Sequence, residues 1–215
     1  MCDSSGAGRN GTYASSGLKY GVTGIVSDDR AVTASSSSSG VGTGATGLVG
    51  NHSFTLEAWF RSTGTIQGES LVNMGQAGEG NIAGLSIWTS NTGDGGLSQL
   101  ALDLYVGVPY ASTLPIWNTQ TAGVNLWDGH WHYVVVTYNA RTGAATGYVD
   151  GHDLGARTPP TKVNLLAGPI RVGYWVDSYL NHPVIGVEDE VAVYPAALSP
   201  AQVKAHFVAS GRRFR

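Results

Sequence analysis

Apolar and polar residues alternate along several short segments of this 215-residue chain. A period of two marks a β-strand with one face toward a core. Between Phe54 and Arg61, Phe54, Leu56, Ala58 and Phe60 fall on one face, and Thr55, Glu57, Trp59 and Arg61 on the other. Leu71 to Met74 is a shorter segment, apolar except at Asn73. From Leu85 to Thr89, Leu and Ile alternate with Ser and Trp. From Leu100 to Val106, Leu100, Leu102, Leu104 and Val106 alternate with Ala101, Asp103 and Tyr105. Each segment predicts a half-buried strand with one solvent face. Gly93 to Gly96 supplies a turn between the last two, and residues 107–125 show no clear period. Helix signals are confined to the end of the chain. Ser199 is placed to be an N-cap, Pro200 opens the helix, and Gln202 completes a capping box. Leu198 and Val203 have the spacing of a hydrophobic staple, and Gly211 is the stop.

The densest strand signal runs from Asp128 through Gly129-His130-Trp131-His132-Tyr133 to Tyr138, followed by Gly147-Tyr148-Val149-Asp150-Gly151. β-formers bounded by Asp-Gly pairs predict a strand, a turn and a second strand. This run resembles the "DGxWHhVavTyd…lYvDG" pattern of laminin-G-like jelly-roll domains, within the concanavalin A-like lectin/glucanase superfamily. Asp3 to Tyr13 resembles the "DsSGnGnnGty" that opens such domains after a first strand, which is missing ahead of Met1. The serine run Ser35–Ser39 falls at the family loop "aftfdGssgyV", between Asp29, Ala31 and Val32 on one side and Gly40-Val41 on the other. It therefore reads as a loop, not a linker. Phe54 to Arg61 resembles "FTleaWvr", Val163 to Trp175 resembles "plriGy", and Val187 to Tyr194 resembles "giDEvriYnraLs". The likeness covers Asp3 to about Gly211. It implies an all-β, two-sheet antiparallel jelly-roll sandwich with one short C-terminal helix, as a single domain over residues 1–215.

Charged residues are 13% of the chain, against about a quarter in an ordinary globular protein. The net charge is −3 and the only lysines are Lys19, Lys162 and Lys204, so no basic stripe exists and nucleic-acid binding is not expected. Arg212, Arg213 and Arg215 form the one basic cluster and read as a solvated tail. Cys2 is the single cysteine, which excludes an intrachain disulfide. No apolar stretch approaches ~18 residues, so no membrane insertion is expected. The N-terminus lacks a charged region followed by an apolar run, so no signal peptide is expected. Asn10-Gly11-Thr12 and Asn51-His52-Ser53 fit the glycosylation sequon, a pattern frequent by chance in such a chain.

Four chemistries present themselves. The resemblance implies one structural Ca²⁺ between the opening loop and the "DE" strand, carried here by Asp3, Asn10 and Asp189; oxygen donors suit that ion. Alternation places Asp189 on one face with Val191 and Val193, where a carboxylate needs a partner. Sugar binding calls for aromatic platforms flanked by polar groups. Trp88, Tyr105, Tyr110, Trp117, Tyr174, Trp175 and Tyr179 lie in loops or on solvent faces, and Trp88 and Tyr105 on the non-leucine faces of their strands. Trp59 and Trp131 match core tryptophans of the family. Glycoside hydrolysis is suggested by Glu188-Asp189-Glu190. However, hydrolytic relatives use E-x-D-x-x-E with all three acids on one face, and here Asp189 opposes the two glutamates. His130 and His132 face the same way but lack the third ligand of a transition-metal site; His132 reads as structural. The expected function is a non-catalytic recognition or adhesion module at an extracellular or cell-surface location, binding a glycan or cell-surface polysaccharide. The alternative is a structural part of a phage virion, a minor tail or capsid-associated protein that meets other virion subunits or forms a homo-oligomer. An enzyme is the third reading.

Overall fold

The computed structural model describes residues 6, 8, 10–13, 16–26, 28–34, 40–45, 48–63, 69–76, 81–89, 98–106, 116–159, 162–174 and 184–213. Strands follow in the order β1 (Thr12–Tyr13), β2 (Leu18–Thr23), β3 (Arg30–Ala34), β4 (Val41–Ala45), β5 (Phe54–Arg61), β6 (Glu69–Gln76) and β7 (Asn81–Thr89). They continue with β8 (Ser98–Val106), β9 (Ile116–Asn118), β10 (His132–Asn139), β11 (Ala144–Val149), β12 (His152–Arg157), β13 (Pro169–Val172) and β14 (Gly186–Tyr194). A 3₁₀ turn at Thr119–Ala122 follows β9, and the helix α1 spans Pro200–Ala209. The first sheet is ordered β1-β4-β13-β6-β7-β8-β9 and the second β12-β11-β10-β5-β14-β3-β2, all pairs antiparallel. The two sheets stack as the expected jelly-roll sandwich.

The alternation in β5 has the predicted effect on its first face. Phe54, Leu56, Ala58 and Phe60 are buried against Leu71, Val72, Leu85, Ile87, Leu100 and Leu102 of the first sheet. Its second face is not open to solvent, contrary to the alternation reading. Thr55, Glu57 and Trp59 are buried too, because α1 lies over this side of the second sheet. Trp59 stacks on Phe207 of the helix and lies beside Tyr133, with ring centroids 5.7 and 5.1 Å away. Tyr133 Oη and Tyr194 Oη donate to the Glu57 carboxylate at 2.6 and 2.8 Å, and His206 Nδ1 of α1 lies 3.0 Å from it. Burial, reinforced by that carboxylate, raises both tyrosine hydroxyls well above their ordinary pKa.

Local signals set the helix and the turns. The Ser199 side chain accepts from the Gln202 backbone, and the Gln202 side chain accepts from the Ser199 backbone, closing the capping box. Leu198 and Val203 pack in the core beneath the helix, and Gly211 at φ +81° ends it. Asp150 and Gly151, both at positive φ, form the two-residue turn between β11 and β12 that Asp-Gly predicts.

Candidate functional site

Three polar features stand out against this frame. The first is the face of the first sheet that points away from the core. Strand register places its residues in rows: Trp88, Gln99 and Asn118; Ser70, Ser86, Ala101 and Ile116; Gly42, Arg171, Asn73, Gly84 and Asp103. Ser70, Asn73, Ser86 and Arg171 are buried, while Trp88, Gln99 and Asn118 are half-buried. Arg171 Nη1 donates to Asn73 Oδ1 at 3.3 Å and to the Gly75 carbonyl at 3.0 Å, and Asn73 Nδ2 donates to the Tyr174 carbonyl at 2.7 Å. Burial lowers the Arg171 pKa, and no carboxylate pairs with it among the described residues. The Ser86 hydroxyl, 2% exposed, has no hydrogen-bond partner among the described residues. A sheet face with a polar floor and a tryptophan at its border offers hydrogen bonds and an apolar platform together.

The second feature is an acidic cluster. Oxygen atoms of Asp29, Asp189 and Glu190 lie within 4.8 Å of one another. They border a cleft of about 400 Å³ that Tyr13, Leu18, Val41, Val172 and Glu188 also line. Asp29 comes from the turn before β3 and the other two from β14. Asp189 Oδ2 accepts from the Ile25 backbone at 2.7 Å and Oδ1 from the Glu190 backbone at 3.1 Å. A side chain at Gly24 would displace the Asp189 carboxylate from its place beside the Ile25 backbone. Burial raises the Asp189 pKa, and the neighbouring Asp29 adds to the rise; burial, then the Asp29 and Asp189 carboxyls, raise that of Glu190.

A β-bulge builds this cluster. Asp189 pairs with Trp59 but Ala192 pairs with Glu57, so β14 carries one extra residue, and Glu190 sits at φ +46°. The simple alternation expected for β14 is thereby broken. Val187 packs beneath the helix, whereas Val191 and Val193 pack toward the core between the sheets. Asp189 therefore does not share a face with Val191 and Val193. The extra residue brings the Glu190 carboxyl to Asp189.

The third feature surrounds His132. Its Nδ1 lies 2.9 Å from Asp150 Oδ2 and its Nε2 3.0 Å from Asp128 Oδ1, an oxygen that His130 Nδ1 also approaches at 3.1 Å. Asp150 Oδ1 accepts from the Tyr133 backbone, which fixes the carboxylate. Two carboxylate neighbours favour donation by both ring nitrogens, and with it the imidazolium form. Burial alone would lower its pKa; the bonds and charges of Asp150 and then Asp128 outweigh burial and raise it. The structural role expected of His132 is thus an ionic clasp between the entry to β10 and the β11–β12 turn. A raised folded-state pKa means that this stabilisation is complete below the ordinary histidine pKa and is lost as pH rises through the folded value. The melting temperature is expected to decline as pH rises above the ordinary histidine pKa of about 6.5, and less so in a His132→Gln variant. Parallel profiles for the two proteins would refute the clasp.

The residues singled out in the sequence are placed as follows. Trp88 borders the polar sheet face, and Tyr105 stands opposite Ile82 in the β7–β8 register. Asp189 is buried in the acidic cluster. Asn10 is exposed and is not among the residues lining the cleft there. Asp3, Tyr110, Trp175 and Tyr179 lie outside the described residues. Trp117 requires correction: it is 1% exposed and belongs to the core between the sheets. Its Nε1 donates to the Gly155 carbonyl at 2.8 Å, and its ring covers Gly147. It cannot meet a ligand from that position. Asp29 and Glu190 are the residues the sequence reading did not assign to the acidic site.

Comparison with known proteins places the fold. Residues 35–204 match a laminin-G family of the concanavalin A-like lectin/glucanases superfamily. A search of curated protein sequences finds no match. Among solved structures, the chain resembles domain 4 of AbnA, an extracellular GH43 arabinanase from Geobacillus stearothermophilus, in complex with arabinotriose. Identity is 18%, coverage 94% of this chain and 90% of that one, and the TM-score 0.65. It also resembles the binding domains of Paraclostridial Mosquitocidal Protein 1 (15% identity, TM-score 0.67) and of botulinum neurotoxin serotype G (14%, TM-score 0.69). In those two, 97% of this chain spans about half of the other, 49% and 48%. These likenesses concern the fold, and with the sequence match they lead to one statement: the chain belongs to the laminin-G-like proteins of the concanavalin A-like lectin/glucanases superfamily.

Proposed function

We propose that this chain is a non-catalytic recognition module that binds carbohydrate outside the cell, on the polar face of its first sheet. The observation that carries this reading is the row Trp88, Gln99 and Asn118 beside a buried floor of Ser70, Ser86, Asn73 and Arg171. The complex of the arabinanase domain with arabinotriose supports the ligand class. The Asp189 and Glu190 carboxyls converge with Asp29 near the second sheet, a cluster suited to holding a cation. In a glycan array the wild-type chain is expected to select a restricted set of saccharides. Trp88→Ala is expected to weaken that binding by at least about tenfold, roughly 1.4 kcal/mol, at unchanged melting temperature. Equal binding by the variant would exclude this face.

The acidic cluster fits one structural calcium ion held by Asp29, Asp189 and Glu190. Hard oxygen donors and crowded carboxyls favour a divalent cation, whose charge would tie the turn before β3 to β14. Calcium is expected to raise the melting temperature of the chelator-stripped protein by several degrees, and Asp189→Asn to abolish the rise. A melting temperature indifferent to both chelator and calcium would reject the ion.

Assembly into a virion or homo-oligomer has its own candidate surface. The edge strand β2 of the second sheet exposes Lys19, Tyr20 and Gly21. Light scattering distinguishes a monomer, as expected for a recognition module, from a defined oligomer.

A further inference from the structure

We propose that the cleft below the C-terminal end of α1 is a second ligand site, specific for an acidic saccharide. It takes the ligand class of the sheet-face reading but lies on different residues. The cleft, of about 740 Å³, is bounded by residues 122–125, the start of β10, the turn at Asp150 and residues 211–213. Trp131 and Phe207 give it an apolar wall, and Asn125, His130 and His152 border it with polar groups.

The charges in this cleft are unevenly committed. Its two acids, Asp128 and Asp150, are both engaged by the His132 imidazolium, and Asp128 by His130 as well. Its two arginines, Arg212 and Arg213, form no salt bridge among the described residues. Arg212 is not a free tail residue: its guanidinium lies over the Trp59 ring, 5.9 Å from the centroid. Arg61 lies in the same way over Trp131 at 5.2 Å and also has no acidic partner among the described residues. The cleft therefore presents the guanidinium groups of Arg212 and Arg213, with its two carboxylates held by histidines, beside an apolar wall and hydroxyl-binding groups. Guanidinium forks match carboxylate and sulfate oxygens, and the wall matches a sugar ring. A neutral saccharide would leave those donors unused.

The test titrates the Trp88→Ala chain, which lacks the sheet-face platform, with oligogalacturonate, a sulfated oligosaccharide and a neutral oligosaccharide of equal length. At low salt, at least one of the two acids is expected to bind tenfold or more tighter than the neutral sugar, and to weaken as salt is raised. The tighter of the two identifies the oxyanion. Adding Arg212→Ala and Arg213→Ala is expected to remove at least tenfold of that affinity while lowering the melting temperature by no more than a few degrees, the share of the Arg212–Trp59 contact. Equal affinity for acidic and neutral sugars would overturn the proposal. So would undiminished binding by the arginine variant, or the absence of acid binding in the Trp88→Ala chain. A failure of the sheet-face reading appears separately, as neutral-sugar binding that wild type and Trp88→Ala share.

Discussion

Replacing Glu57 with alanine is expected to lower the unfolding free energy by about 3–5 kcal/mol, from an orphaned buried hydroxyl together with a cavity. Glu57 is 6% exposed and accepts from Tyr133 and Tyr194, with His206 as a third neighbour. Truncation leaves the Tyr133 hydroxyl, on a residue 1% exposed, without its acceptor between sheet and helix. It also opens a cavity beneath α1. His206 is partly exposed and can turn to water, so its share of the loss is small. Glu57→Gln keeps one acceptor oxygen and the side-chain volume, and is expected to cost only about 1–2 kcal/mol. Urea unfolding of the three proteins measures both differences. An alanine variant within about 0.5 kcal/mol of wild type would show that the network does not bind the helix to the sheet.

Trp117→Ala is expected to cost a similar amount, about 3–5 kcal/mol, as for other buried aromatic side chains. The indole is almost wholly enclosed, bonded to the Gly155 carbonyl and packed on Gly147. Its loss would open a cavity under β11 and leave that carbonyl without a donor. Saccharide affinity of the folded fraction is expected to stay as in the wild type. Chemical unfolding and titration of the same variant separate the two roles. Retained stability with lost binding would restore Trp117 as a ligand platform.

Trp117 also shows where the sequence ceases to be informative. A tryptophan suits a core or a sugar platform equally, and the choice depends on what lies across the sheet. β9 has only three residues, too few for alternation to declare a face, and it follows a stretch with no period. In β5 the reverse holds: eight residues of strict alternation make the core face legible. Even there, the burial of Glu57 depends on a helix some 140 residues away and leaves no mark on the strand itself. Capping boxes and Asp-Gly turns are legible because their partners lie within a few residues.

The acidic cluster was half legible for a related reason. Asp189 carries the family signal, but its companions depend on the bulge in β14. A glutamate in the left-handed region has no sequence signature, so strict alternation misassigned the faces of Glu188, Asp189, Glu190 and Val191. The pair Asp128 and Asp150 was visible only as turn residues. That both converge on His132 follows from the pairing of β10 with β11, which is long-range information.

The central claim is that carbohydrate binds on the polar face of the first sheet. It is tested most directly by nuclear magnetic resonance titration of the labelled protein with a saccharide selected on the array. The account predicts saturable shifts of the Trp88 indole N–H and of the Gln99 and Asn118 side-chain amides, with Trp59 and Trp117 unmoved. Shifts that avoid those three residues, or none at saturating sugar, would contradict it.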